Sequence, residues 1–375
     1  MIQAPTPLPA TDPTPGIAGP PVAELPYDAI LLVSFGGPEG PDDVLPFLEN
    51  VLRGRPVPRE RMLEVAEHYR SFGGVSPINQ QCRDLITALR PALREAQVEL
   101  PIYWGNRNWQ PMLPDTIRQM ADDGIRRALA VVTSSFSSYS GCRQYRENIE
   151  EARRQVGEDR APIVTKMRVW YNHPDWIAVN AERVRDALRT IPADRLPSAR
   201  VAFSAHSIPE AMARNCDYVA QLTESCRLVA ETLGLPEERW ALVYQSRSGR
   251  PEDPWLEPDV RDHLRAIRSA GATDVVVHPI GFTSDHIEVL FDLDEEARRT
   301  GAEIGLNVVR SATAGTHPRF VAMLAELIKE RITASPVRRA IGRCGPSHDV
   351  CPPLCCLPPA RPSRPSAPGG GPPGG

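Results

Sequence analysis

Two histidine-bearing stretches, each at the end of a short apolar run, hold the residue types best suited to chemistry. One reads Val201-Ala-Phe-Ser-Ala-His206-Ser-Ile-Pro209. The other reads Val275-Val-Val-His278-Pro-Ile-Gly-Phe-Thr-Ser284-Asp285-His286-Ile-Glu288. A neutral imidazole near pH 7 can accept a proton or bind a borderline metal, and Pro209 forces a turn that presents His206 at a sheet edge. In the second stretch, Ser284 is a candidate helix N-cap with Asp285 in the first turn. Glu288, Asp292 and Glu296 then recur at i, i+4 and i+8, on one helical face. Carboxylates at that spacing repel by roughly a few tenths of a kcal/mol per pair, and a solvated acidic face is the plain reading. Because the stripe follows a buried strand, its first member should instead look into a cleft. The rest would then make a path for a hydrated divalent cation. Metal handling coupled to proton removal is the chemistry such a pairing suits.

The elements that must position these residues follow a regular cadence. Apolar runs at 29–35, 101–104, 128–133, 162–165, 200–203, 240–244, 274–277 and 303–306 alternate with helix-like stretches such as 83–95, 115–121, 178–189 and 218–233. Strand–helix alternation means parallel sheets with crossover helices, and such sheets present functional side chains at the carboxyl ends of their strands. The expected fold class is α/β, with two doubly wound halves of about four strands each and a break near Tyr171-Asn172-His173-Pro174. The first strand–helix turn, Phe35-Gly-Gly-Pro-Glu-Gly-Pro41, lacks G-x-G-x-x-G spacing. Its prolines also remove donors that a pyrophosphate would use, so a tight turn admitting close approach to the backbone is expected. No Walker A segment, G-x-S-x-G elbow or H-E-x-x-H helix is present, which disfavours nucleotide-dependent readings.

At 375 residues, with 41% apolar and 24% charged residues and a formal charge of −4, the chain suits two soluble domains and not a nucleic-acid binder. No window approaches a membrane span, so no stable membrane insertion is expected. The N-terminus lacks the basic and apolar regions of a signal peptide, which predicts a cytoplasmic location. Residues 1–26 hold eight prolines and residues 357–375 seven, so both ends are expected to be disordered Pro-rich tails.

Cys344, Cys351, Cys355 and Cys356 crowd near the C-terminus. In a reducing compartment such crowding favours metal binding over disulfides. Paired C-x-x-C knuckles are missing, so zinc-ribbon spacing does not fit, although a zinc site or free thiols stay open. Cys82, Cys216 and Cys226 fall in helix-like stretches as packing residues.

Five motifs, in order, resemble ferrochelatases: Phe35-Gly-Gly-Pro38, Phe72-Gly-Gly-Val-Ser-Pro77, Ser204-Ala-His206-Ser-Ile-Pro209, Tyr244-Gln-Ser-Arg-Ser-Gly249 with Pro254-Trp-Leu-Glu-Pro258, and Pro279-Ile-Gly-Phe-Thr-Ser-Asp-His-Ile-Glu288. The resemblance runs from about Tyr27 to about Ile332 and is greatest to the actinobacterial, coproporphyrin-using branch. It implies Fe²⁺ insertion into a porphyrin held between two Rossmann-like domains, at 27–172 and 173–316, with a helix at 317–333 that could complete the first. His206 and Glu288 match the family's catalytic, metal-binding pair, and Asp292 and Glu296 match its acidic path for iron. Ser76, Tyr145, Tyr69 and Arg53 are the candidate porphyrin contacts, with the basic run from Arg53 to Arg61 suited to propionates. Some relatives carry an iron-ligating tyrosine where Phe35 stands, and phenylalanine offers no ligand there.

The resemblance further implies a [2Fe–2S] cluster, which needs four thiolates, in the segment 334–356. Cys142 matches an internal ligand; Cys344, Cys351 and either Cys356 or Cys355 would supply the rest. The product would be iron coproporphyrin III for haem synthesis, made by a monomer whose partners are a porphyrin and ferrous iron. A protoporphyrin IX ferrochelatase is the enzymatic rival, and a non-catalytic haem or iron carrier or sensor is the reading from another class.

Overall fold

The structure is a computed structural model that describes residues 26–54, 57–249 and 252–358. Most of the expected tails, residues 1–25 and 359–375, lie outside the described residues, as does Arg55 in the basic run.

Eight strands form two four-stranded sheets. The first holds β1 (Ala29–Ser34), β2 (Ile102–Asn106), β3 (Arg127–Val132) and β4 (Ile163–Lys166) in the order β2-β1-β3-β4. The second holds β5 (Arg200–His206), β6 (Trp240–Gln245), β7 (Asp274–His278) and β8 (Asn307–Arg310) in the order β6-β5-β7-β8. Every pairing is parallel, so the two halves repeat one doubly wound pattern, as the cadence predicts. Near-continuous apolar runs are what central parallel strands require, because helices cover both faces. All six residues of β1 and all five of β7 are buried.

One strand lies elsewhere than expected. Residues 303–304 end the helix Arg298–Ile304, and Gly305, at φ +67°, closes it in the left-handed conformation that glycine adopts at least cost. The strand therefore begins at Asn307. A second departure concerns the acidic helix, which starts at Ile287 with His286 as the preceding residue. Ser284 is not its cap, and Asp285 instead pairs with Arg310 at 3.0 Å.

Alternation along the strands splits the core. Ile30, Leu32, Leu129 and Val131 share a cluster with Val201, Phe203, Ala205 and Val276 of the other sheet. That shared layer also takes residues from the helices Ile78–Glu95, Pro174–Leu188, Tyr218–Leu233 and Pro318–Ile332. The opposite faces, with Ala29, Leu31 and Val33 in one half and Val275 and Val277 in the other, sit in separate clusters. Helix 318–332 packs on both helix 78–95 and helix 174–188. It is fastened by a fully buried ion pair, Arg168 to Glu330 at 2.6 and 2.9 Å.

The halves are also stitched by polar contacts. Gln81 exchanges two hydrogen bonds with the backbone of Asp285 (2.9 and 3.2 Å), and Gln221 exchanges two with Ser137 (2.8 and 3.0 Å). Because buried amides are costly when unpaired, such two-point contacts fix register as well as adding stability.

Candidate active site

β5 and β6 end side by side, with His206 and Gln245 as register partners. The His206 imidazole places Nδ1 against the Ser207 carbonyl. A carbonyl only accepts, so Nδ1 carries the proton in the neutral ring and Nε2 keeps its lone pair. Nε2 points to Glu288, whose Oε2 lies 3.7 Å away. Both side chains are partly open to solvent, at 34% and 48% exposure, which a pair serving a cleft must be.

Glu288 sits in the first turn of the helix beginning at Ile287, where a carboxylate is favoured by the helix dipole. From Leu290 to Ala297 the helix widens into π geometry before resuming at Arg298; such insertions occur frequently at functional sites. Glu288, Asp292 and Glu296 remain grouped, since both glutamates act on the Asp292 carboxyl. Burial, reinforced by Glu288 and Glu296, pushes Asp292 up to about 7, against the opposing effect of the Ser246 hydroxyl it accepts from. Gln245 adds a hydrogen bond to Asp292 and one to the Glu288 carbonyl, each at 3.4 Å, and is itself held by Ser204 at 2.9 Å. Glu296 is differently placed: its carboxylate is engaged by Arg261 at 3.1 Å and Arg299 at 3.4 Å.

The other wall comes from the first half. Phe35, just past β1, packs with Phe47 and Tyr69 in the cluster that also holds Ile287, the neighbour of Glu288. Tyr69 is buried there, and burial together with Glu288 raises its phenol. The His68 ring stacks on Phe291 with centroids 3.8 Å apart, tying helix Arg59–Ser71 to the acidic helix. Arg107 lies over both Phe35 (5.6 Å) and the buried ring of Tyr145 (4.5 Å). Ser76 is buried beneath the first turn: a side-chain carbon at Gly37 would meet its Cβ at 2.6 Å. The backbone approach foreseen at Phe35-Gly-Gly-Pro is thus made by the protein itself. Arg53 stands exposed at the end of helix Val44–Leu52, held by Asn50.

His206, Glu288, Asp292 and Glu296 therefore come together, and Tyr69 joins them. The neutral ring can accept a proton at Nε2, and three carboxylates within one helix offer hard oxygen donors to a divalent cation. The second histidine stretch divides differently. His278 is fully buried, donates from Nε2 to Asn180 at 2.7 Å and accepts from Ser311 at Nδ1. Burial drives it down to about 3, so it is a neutral structural pin. His286 lies between the two, 4.0 Å from Glu288, with its basicity lowered chiefly by burial. Gln245 and Ser246 had no part in the sequence reading beyond the motif that contains them.

The C-terminal cysteines return to the first half. Cys142, in a π-helical turn over Tyr139–Arg143, lies against Cys351. Cys355 Sγ is 3.4 Å from Cys356 Sγ and 3.9 Å from His348 Nε2, and the ligand atoms of His348, Cys351 and Cys355 all fall within 4.8 Å of one another. Arg143 grips the carbonyls of Pro353 and Cys355 at 2.7 and 3.0 Å. Cys344 sits apart from that trio, against the Tyr171 phenol. His348 escaped the sequence reading, though His348-x-x-Cys351 is itself a ligand-like spacing. Cys82 and Cys226 are buried packing residues; Cys216 lies in the turn before helix 218–233, not within it.

Among known proteins, the ferrochelatase family matches residues 27–332. A protein named ferrochelatase from Rhodopirellula baltica is 58% identical over 353 residues, covering 94% of this chain and 99% of the relative. A protein named coproporphyrin III ferrochelatase from Streptomyces griseus is 50% identical over 364 residues, covering 92% and 96%. Among solved structures, SirB from Bacillus subtilis with Fe³⁺ aligns with a TM-score of 0.49 at 15% identity, over 82% of this chain and 95% of that one.

Proposed function

We propose that this chain, which belongs to the ferrochelatase family, inserts Fe²⁺ into coproporphyrin III to give iron coproporphyrin III on the way to haem. The observation that carries the reading is the 3.7 Å approach of His206 Nε2, at the end of β5, to Glu288 Oε2, in the first turn of the acidic helix, within a partly open site. Support for the substrate comes from relatives named for it at 46–50% identity.

Insertion exchanges two pyrrole N–H protons for one Fe²⁺, so the reaction releases two protons and changes no oxidation state. In this reading His206 takes a pyrrole proton at Nε2, the nitrogen its contact with Ser207 leaves basic. Glu288 removes water from the iron and passes it to the ring nitrogens. Asp292, half-neutralised near pH 7, lets a cation approach without building a trap of three full charges. Ser76, Tyr69 and Tyr145 serve the apolar macrocycle, while Arg53 and its basic neighbours meet propionates, of which coproporphyrin carries four. Phe35 closes the opposite wall without ligating the product.

The C-terminal segment holds a [2Fe–2S] cluster in this account. Of the expected ligands, Cys142, Cys351 and Cys356 (or Cys355) gather beside the cationic Arg143, whereas Cys344 rests against Tyr171, so the second of the adjacent thiols Cys355 and Cys356 is the soft donor at hand for the fourth position. When bound, the cluster crosslinks residues far apart in the chain. The enzyme acts in the cytoplasm as a monomer: its cysteines are all unpaired thiols, as a reducing compartment favours, and one chain supplies both walls of the site. No helix of the described residues is long and apolar enough to cross a membrane.

Anaerobic Fe²⁺ insertion into coproporphyrin III and protoporphyrin IX, run side by side, tests the reading. Turnover of coproporphyrin III in clear preference is expected. Preference for protoporphyrin IX overturns the substrate, and porphyrin binding without any insertion overturns the enzyme in favour of a carrier.

A further inference from the structure

The acidic helix is gripped from behind by one side chain that the proposed chemistry leaves unused. Resting on the iron-insertion reading above, we propose that Arg310, the last residue of β8, is a positioning residue for Glu288 and Asp292, fixing both ends of the segment that carries them.

The geometry is a bracket. Arg310 donates from Nη1 and Nη2 to the two carboxylate oxygens of Asp285, at 3.0 and 3.3 Å, and from Nε to Asp294 at 3.0 Å. Nη1 also reaches the Ser311 carbonyl at 3.4 Å. Asp285 precedes Glu288 by one helical turn, and Asp294 follows Asp292 by two residues. Residues two apart on a helix do not share a face, so Asp294 lies behind Asp292 and Glu296, and Arg310 holds the helix without entering the site. From the other half of the molecule, Gln81 binds the Asp285 backbone at 2.9 and 3.2 Å. The entry to the helix is therefore fixed by side chains of both halves.

Between these anchors the helix starts at Ile287 and widens into π geometry at Leu290. Such turns are rare, and relaxation to ordinary α turns would rotate Asp292 about the axis relative to Glu288. Tying Asp285 and Asp294 to one planar guanidinium opposes that rotation. Bidentate, charge-assisted bonds of this kind are strong and directional. A lysine would keep the charge and lose the fixed fork, because its ammonium is a point charge on a flexible stem. A residue that served folding alone would shift the melting temperature and leave the iron dependence of the folded enzyme where it was.

The experiment is anaerobic insertion into coproporphyrin III with Fe²⁺ varied, using full-length wild type, Arg310→Lys, Asp294→Asn and the double variant. Porphyrin affinity, by fluorescence quenching, and thermal melts are measured on the same samples. Arg310→Lys should raise the KM for Fe²⁺ about tenfold, on the scale of a displaced functional group, with porphyrin affinity unchanged. Asp294→Asn should move it the same way by less, and should add nothing in the Arg310→Lys background, since the pair acts as one unit. An iron KM within about twofold of wild type in Arg310→Lys, whatever its melting temperature, overturns the inference. So does an equal loss of porphyrin affinity, or full multiplication of the two single effects. Should Arg310→Lys not fold, Asp294→Asn decides alone: a raised iron KM at unchanged porphyrin affinity supports the inference, and an unchanged one overturns it. A wild type that inserts no iron overturns the enzymatic reading, and this inference falls with it.

Discussion

The phenol of Tyr218 donates to the backbone carbonyl of His206 at 3.0 Å, tying the first residue of helix 218–233 to the last residue of β5. Tyr218 is buried and its acidity is suppressed by that burial, so it stays a donor throughout the working pH range. Two residues before it, Cys216 lies near Cys142, and Asn215 bonds the carbonyls of Leu357 and Pro358. The cysteine segment and His206 thus meet on one short stretch of chain.

Removing only that hydroxyl tests how closely His206 must be held. Tyr218→Phe should cost about 1 kcal/mol of stability and lower kcat by about fivefold, the rate equivalent of the same energy, with KM unchanged. Steady-state kinetics beside thermal melts check both figures.

Asp292 gives a pH dependence whose sign is fixed. Its carboxyl is raised to about 7 in the folded chain, so between the ordinary carboxylate range near pH 4 and pH 7 the folded state holds a proton that the unfolded chain has released. Stability from this group is therefore full below about pH 4 and falls as pH rises through about 7. Asp292→Asn, which cannot ionise, should gain stability relative to wild type at pH 8 compared with pH 5. Paired melts at the two pH values measure it.

Gly281 lies against β5 just before the end that carries His206. A Cβ there would sit 2.7 Å from the Ala205 Cβ and 2.8 Å from its Cα, while Gly281 N–H donates to Ser204 at 3.1 Å. The obstacle is backbone, which cannot swing aside. Gly281→Ala should destabilise by about 1–3 kcal/mol and reduce insertion out of proportion to that loss, because the displaced residue precedes His206. Activity per folded molecule, with folding followed by circular dichroism, is the readout.

Glu330→Gln leaves Arg168 as a buried charge without its partner, a change that costs about 3–5 kcal/mol. Denaturant melts should show it. Insertion activity well below the melting range should survive, since helix 318–332 contributes none of the acidic cluster.

Legibility of the sequence followed burial. Val275, Val276 and Val277 are branched, consecutive and fully buried, so β7 announces itself. Edge strand β8 does not: Asn307 is exposed, its neighbours are half-buried, and the glycine that ends the preceding helix reads locally like part of a strand. The spacing of Glu288, Asp292 and Glu296 was readable as one face, and the widened helix keeps them grouped. The different fates of these carboxylates were not readable, because Ser246 and Arg261 reach them from other elements. His278 and His206 close similar apolar runs, yet only the packing of Asn180 and Ser311 around the first makes it structural.

His206 and Glu288 are proposed to act as one unit on a porphyrin and its iron. Single-turnover Fe²⁺ insertion into coproporphyrin III by His206→Ala, with porphyrin binding measured on the same sample, is the most direct trial. Near-normal porphyrin affinity with metallation slowed by about 100-fold or more, the range for a lost general base, is the expected result. Metallation within about tenfold of wild type would contradict it.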